Sequence, residues 1–177
     1  MTGVADSLDE FYSNLERLAA AWLALRKQDQ SAAAAFLRRA LDDGLDAVRD
    51  ELGPALHLPG YQRRRVEVAL IRTAGALAEP GYLDHYVPEV EPGTEAIDHY
   101  CRRGWRALAN PSLEFDTWWY RFSYLGLDEL MVNPLVHYLV SGRHHGALPL
   151  PPAPVALPQT PAPVPVAPLR VSPCGGY

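Results

Sequence analysis

Lysine is nearly missing from this chain, cysteine occurs twice, and no apolar run approaches the eighteen or so residues of a membrane span. Of the sixteen basic residues only Lys27 is not arginine, and the twenty-one acidic ones leave a net charge of −5. That deficit of positive charge argues against a nucleic-acid binder, which carries a basic surplus. Cys101 falls in a helical segment and Cys174 is the fourth residue from the end, so no disulfide framework is implied and a reducing compartment is the simpler reading. The opening MTGVADSLDEF has neither a basic n-region nor an apolar h-region, so no signal peptide is expected. The chain reads as cytoplasmic, and nothing in it supports peripheral membrane contact.

Chemistry-bearing motifs are also scarce. No Asp-x-Asp pair is present to hold a divalent cation on a nucleotide diphosphate. There is no P-loop and no G-x-S-x-G elbow. Asp42, Asp43 and Asp46 form the nearest acidic cluster, on a helical face where solvated charge is the ordinary expectation. No catalytic residue, metal site or cofactor is assigned.

What is there suits a packed helical protein. With 177 residues, 48% hydrophobic and 10% aromatic, the chain can bury a core. Residues 1–80 are rich in Ala and Leu and are expected to form a small helical bundle. Ser7 and Glu10 have capping-box spacing, and Leu8, Phe11, Leu15, Leu18, Trp22 and Leu25 recur behind them at helical intervals. Ser31 is placed to cap a second helix carrying Phe36, Leu37, Leu41, Leu45, Val48 and Leu52, which Gly44 can kink or split and Gly53-Pro54 ends. A third helix is predicted from Tyr61 to Leu77, with Val66, Leu70 and Thr73 inward. Residues 151–177 lie in a stretch dense in proline whose only charge is Arg170; they are expected to be a disordered, polyproline-like tail.

Residues 81–150 repeat. A shift of 38 places Tyr82 on Tyr120, Tyr86 on Tyr124, Glu91 on Glu129, His99 on His137, Tyr100 on Tyr138, Gly104 on Gly142, Ala109 on Ala147 and Pro111 on Pro149. These eight identities fall in thirty gapless positions, where roughly two are expected from average composition. A period of this length marks stacked supersecondary units. Each copy reads as a short helix, a turn, a second short helix and a glycine exit. Asp116 is a good N-cap for the first helix of the second copy, Asn133-Pro134 opens its second helix, and Thr94 takes the corresponding place in the first copy. Gly104 and Gly142 are expected to be left-handed helix ends. The fold expected is therefore all-α: a bundle over 1–80, two helix-turn-helix repeats over 81–150, and the tail.

Several side chains invite a functional reading. His85, His99, His137, His144 and His145 crowd the repeats, but His144 and His145 are adjacent and point apart, while His99 and His137 are equivalent positions. A repeated structural hydrogen bond accounts for that better than zinc does. Accordingly His99, Tyr100, Gly104, His137, Tyr138 and Gly142 are assigned to the repeat's own architecture. Trp105, Trp118, Trp119 and Tyr120 can stack on a sugar or dock a partner, although repeat spacing points first to a core. Trp118 and Trp119 cannot both face one core, which leaves at least one available. Arg63-Arg64-Arg65 is expected to be an exposed face balanced by Asp50, Glu51 and Glu67.

The phrase FDTWWYRFSYLGLDELMVNPLVHYLVSGRHHG resembles a repeat found beside the catalytic domains of bacterial polysaccharide-biosynthesis glycosyltransferases. The match runs through Phe115, Asp116, Trp119, Tyr120, Tyr124, Asn133, Pro134, Leu135, His137, Tyr138, Leu139, Gly142 and Gly146. The first copy matches through Tyr82, Tyr86, His99, Tyr100, Gly104, Trp105, Asn110 and Pro111. The chain departs from the pattern at Leu125 to Val132 and at the exit, where His144-His145 stands in place of an acidic residue. Residues 1–80 carry no resemblance. The likeness implies an accessory module rather than an activity: a non-enzymatic adaptor whose partner is a protein, such as a glycosyltransferase. Two other readings stay open. One is a glycosyltransferase split from its catalytic domain, and the other is a helical structural protein unrelated to glycans.

Overall fold

The computed structural model describes residues 8–54, 58–78, 81–82, 93, 95–126 and 132–153. Ser7, Tyr86, Glu91, Thr94, Glu129, Cys174 and residues 154–177 of the tail lie outside the described residues.

Helix α1 spans Leu8–Gln28 and α2 spans Gln30–Asp42. Asp9 and Glu10 stand in the first turn of α1, and Arg26 and Lys27 in its last, as the helix dipole favours. Asp29 alone separates the two helices. Its backbone is extended, and its carboxylate accepts from the Ser31 and Ala32 amides at 2.8 and 3.1 Å. The cap is therefore Asp29 and not Ser31, which lies inside the first turn. At the other end Gly44, with φ +91, splits the predicted second helix and turns the chain into a 3-10 segment, Leu45–Glu51. Leu45 and Val48 still reach the core from there. Arg17 Nε and Nη2 donate to the carbonyls of Gly53 and Leu52 at 2.7 and 2.9 Å, tying that segment's exit to α1. Helix α3 spans Gly60–Ala74 and stops at Gly75, whose left-handed backbone (φ 62) lets its amide reach the Arg72 and Ile71 carbonyls. It is shorter than predicted, and Leu77 is buried beyond its end.

The repeats are built from shorter pieces. Helix α4, Ala96–His99, runs on as a π-helical turn, Tyr100–Gly104. Helix α5, Thr117–Tyr120, runs on as another, Arg121–Leu125. Helix α6, Pro134–Val140, is followed by a 3-10 turn, Gly142–His145. Among the described residues the fold is all-α. The extended pairing found there is an isolated bridge between Ser112 and Phe115, and no helix is long and apolar enough to cross a membrane.

The 38-residue period of the sequence is written into the hydrogen bonds. Ala78 N–H donates to Pro111 O and Asp116 N–H to Pro149 O, both at 3.0 Å. The Tyr82 and Tyr120 amides reach Ala78 O and Asp116 O, both at 2.9 Å. His99 and His137 repeat the relation with Glu95 and Asn133 at 3.0 Å, and Ala109 and Ala147 repeat it with Gly104 and Gly142 at 2.9 Å. Positive φ recurs as well, at Leu108 (61) and Gly146 (83). The copies differ in capping. Asp116 and Asn133 use their side chains on the Trp119 and Leu135 amides, whereas Glu95, which takes the cap position expected of Thr94, makes no such bond.

One core joins the bundle to the repeats. Phe11, Leu15 and Leu18 of α1, Phe36 of α2 and Leu70 of α3 belong to the same buried cluster as Tyr100, Trp105, Leu135 and Leu139. Helix α6 packs on α2 and α3, and the His137 ring meets Phe11 edge-on at 4.6 Å. The exit turn of the second repeat closes the end of α2: His144 Nε2 donates to Leu41 O at 2.9 Å and the Arg143 guanidinium reaches the same carbonyl. Basic donors are well suited to the unpaired carbonyls of a helix C-terminus. Because Asp29 serves two orphan amides, Asp29→Ala should cost about 1 kcal/mol, lowering Tm by roughly 2–4 °C. Ser31→Ala should leave Tm nearly unchanged in the same thermal melt.

Candidate functional site

The repeated residues meet in a clasp. The Tyr82 hydroxyl lies 2.9 Å from His99 Nδ1, and the Tyr120 hydroxyl 2.8 Å from His137 Nδ1. Each hydroxyl also sits over the α-carbon of the glycine five residues past its histidine. A β-carbon on Gly104 would collide with the Tyr82 hydroxyl, and one on Gly142 with that of Tyr120. Neither glycine has positive φ; that conformation falls at Gly146 and Leu108 instead. The expected left-handed helix end is thus corrected. These glycines are required because a tyrosine from the preceding helix needs the space to reach its histidine.

Burial makes the pairing obligatory. Tyr82 and Tyr120 are buried, and a buried hydroxyl without a partner costs about 1–3 kcal/mol. Burial also raises the Tyr120 phenol well above its ordinary range, so it remains a protonated group. His137 is pushed down to about 4, first by burial and then by the charge of His145, so its imidazole is neutral near pH 7. Tyr100 and Tyr138 do not occupy equivalent surroundings. Tyr100 is fully buried, with its hydroxyl 3.5 Å from Thr117 Oγ1, while Tyr138 packs on Phe115 and Tyr120 at ring distances of 5.4 and 5.6 Å.

The four aromatics considered for binding separate sharply. Trp105 is 1% exposed and Tyr120 0%, so neither offers a face to a partner. The Trp105 indole N–H is spent on Cys101 O at 3.1 Å. Trp119 is half-buried, its ring against Tyr124 at 5.6 Å. Trp118 is 54% exposed and packs on Phe122, one turn away, with the rings tilted at 39° and their centroids 4.7 Å apart. Tyr124, Leu148 and Leu150 are exposed too, and the Tyr124 hydroxyl accepts from the Leu148 amide at 3.1 Å. An aromatic ridge on the second repeat results, of which Trp118 alone among those four is freely presented. Phe122 has no identical counterpart 38 residues earlier, and its i,i+4 spacing from Trp118 is the sequence signal for their pairing.

Charged groups are buried beside the clasp. Arg63 turns inward, its guanidinium 3.7 Å from Glu16 and 3.9 Å from Glu67, and lies over the Tyr12 ring. The arginine triplet is therefore not one exposed face. Glu67 is pushed up to about 7, chiefly by burial, against the opposing charges of Arg63 and Arg106. The Asn133 amide also favours the charged carboxylate, although its Nδ2 lies outside full hydrogen-bonding geometry. Both carboxylates are sealed in the core, which suits them to holding α1, α3 and α6 in register rather than to meeting a substrate. Comparison of the chain with protein families, curated proteins and solved structures finds no match.

Glu67 and His137 have opposite linkage to pH. A raised carboxyl gives stability that is full below 4.5 and lost as pH climbs through about 7. A depressed imidazole gives stability that is full above 6.5 and lost as pH falls through about 4. Between 4.5 and 6.5 the two slopes, each about 1.4 kcal/mol per pH unit, should nearly cancel. Glu67→Gln should unmask the histidine. In urea titrations the variant should lose roughly 2–3 kcal/mol relative to wild type on acidification across that window. Parallel stability curves would show that Glu67 ionises as an ordinary carboxylate.

Proposed function

We propose that this chain is a non-catalytic helical adaptor of bacterial surface-polysaccharide glycosyltransferase systems, which docks a partner protein through the ridge around Trp118. The observation that carries the docking role is the solvent-facing Trp118–Phe122 pair, in tilted contact at 4.7 Å with Tyr124 also exposed. Side chains of this size on a surface supply the rigid, apolar anchors from which interfaces draw most of their energy. The link to glycosyltransferases rests on the resemblance of the NPLVHYLVSG segment and its 38-residue partner to their accessory repeats. In the clasp the histidines and tyrosines are committed to one another, which favours a scaffold over a reactive centre.

The test asks first whether a glycosyltransferase co-purifies with the full chain, as the reading requires, and then measures the affinity of that enzyme by calorimetry. Recovery of none would count against the reading. Trp118→Ala with Phe122→Ala should leave Tm within a few degrees and weaken binding at least tenfold, as loss of a central aromatic anchor does. Unchanged affinity would remove the ridge from the account. Turnover of nucleotide sugars by the purified chain, persisting through repurification, would overturn the non-catalytic reading.

A further inference from the structure

A second surface, lined by none of the ridge residues, has a different chemistry. An open groove of about 630 Å3 runs along α3, walled on one side by the end of α1 and the start of α2 and on the other by α4. Tyr61, Arg64, Arg65, Val68, Ala69 and Arg72 bring one face of α3 into it over successive turns. At about 1.5 Å per residue that face is roughly 16 Å long. Ala34, Val68 and Ala69 give the groove a low, partly apolar floor, beneath which Trp22, Ala33 and Leu37 are buried.

The rim is basic on a chain whose net charge is −5. Five arginines line the groove against two carboxylates. Arg72 pairs with Glu95 and Arg102 with Asp98, both at 2.8 Å, so the two acids are already matched. Arg26, Arg64 and Arg65 form no close ion pair with a carboxylate among the described residues, although the Arg64 charge acts on buried Glu67; Arg26 lies over the Trp22 ring at 5.2 Å. We propose that this groove takes an amphipathic helix of a partner protein, with its apolar face on the alanine floor and an acidic polar face toward Arg26, Arg64 and Arg65. Small floor residues allow a helix backbone to approach closely. Guanidinium forks match carboxylates in both charge and geometry. Helix-in-groove recognition lays an apolar face along an apolar strip, which Ala34, Val68 and Ala69 supply between the arginines. A small anion would fill a fraction of the volume and leave that floor bare. A nucleic acid would bring phosphate charge to the arginines but no continuous apolar face for that floor. The inference is independent of the aromatic ridge and of any glycosyltransferase.

The full chain is titrated, by fluorescence anisotropy, into a labelled fifteen-residue helical peptide carrying leucine on one face and glutamate elsewhere. Its twin with lysine for glutamate and inorganic pyrophosphate serve as comparators. The acidic peptide should bind at least tenfold more tightly than the lysine twin. Arg64→Glu with Arg65→Glu should weaken it at least tenfold while circular dichroism stays unchanged. Ala34→Gln, which blocks the floor but keeps every arginine, should weaken it severalfold. The proposal is overturned if the acidic peptide does not bind, or if either variant leaves its affinity unchanged. It is equally overturned if pyrophosphate displaces the peptide at comparable concentration, since the site would then recognise a small anion.

Discussion

A tyrosine hydroxyl that must find a histidine inside the protein governs the repeat half of this molecule. Two helices of one copy approach closely because Tyr82 or Tyr120 has to cross from the first to the second, and a phenol cannot be left unpaired in the core. The approach is possible only where the second helix has no β-carbon, which places glycine at 104 and 142. The histidine in turn gives up Nδ1 to the pair, and in the second copy burial keeps its ring neutral. Sterics and hydrogen bonding are thus two aspects of one contact, present twice at the same spacing, and in the second copy protonation is a third.

That contact is also where the repeats meet the rest of the chain. His137, held by Tyr120 on one side, packs on Phe11 of α1 on the other. Asn133, which caps α6, lies beside Glu67 of α3, and Glu67 shares Arg63 with Glu16 of α1. The second copy therefore completes the bundle as well as standing beside the first. A buried ion network of this kind adds little net stability but penalises wrong packing of α6, since any displacement strands a charge. Among the described residues the surface carries an aromatic ridge around Trp118 and a groove rimmed by arginines, which differ in chemistry.

Much of the fold was legible in the sequence. Helical periodicity located α1 and the core residues of α2 and α3, and a gapless period of 38 identified the duplication that the hydrogen bonds then display. What escaped depended on contacts between distant residues. Gly104 and Gly142 look like helix-ending glycines until Tyr82 and Tyr120 are seen above them. Ser31 and Asp29 are both good caps, and the boundary of α1 decides between them. Glu16 and Glu67 have the charge of surface residues, and only the arrival of Arg63 and α6 accounts for their burial. Trp105 and Trp118 are the same residue type in one repeat family, and the side each faces depends on how the helices pack. The π-helical turns after α4 and α5 had no sequence signal at all.

The most direct test of the clasp is a double-mutant cycle between Tyr120 and Gly142. Gly142→Ala alone should cost about 3 kcal/mol, because the new methyl drives the phenol from its place. Tyr120→Phe alone should cost about 1–2 kcal/mol by stranding the imidazole. Together they should cost clearly less than the sum, with a coupling of at least about 1 kcal/mol, since removing the hydroxyl clears most of the space the methyl needs. Strict additivity in urea denaturation would contradict the account, for it would mean that the glycine serves its own backbone and the tyrosine does not dictate it.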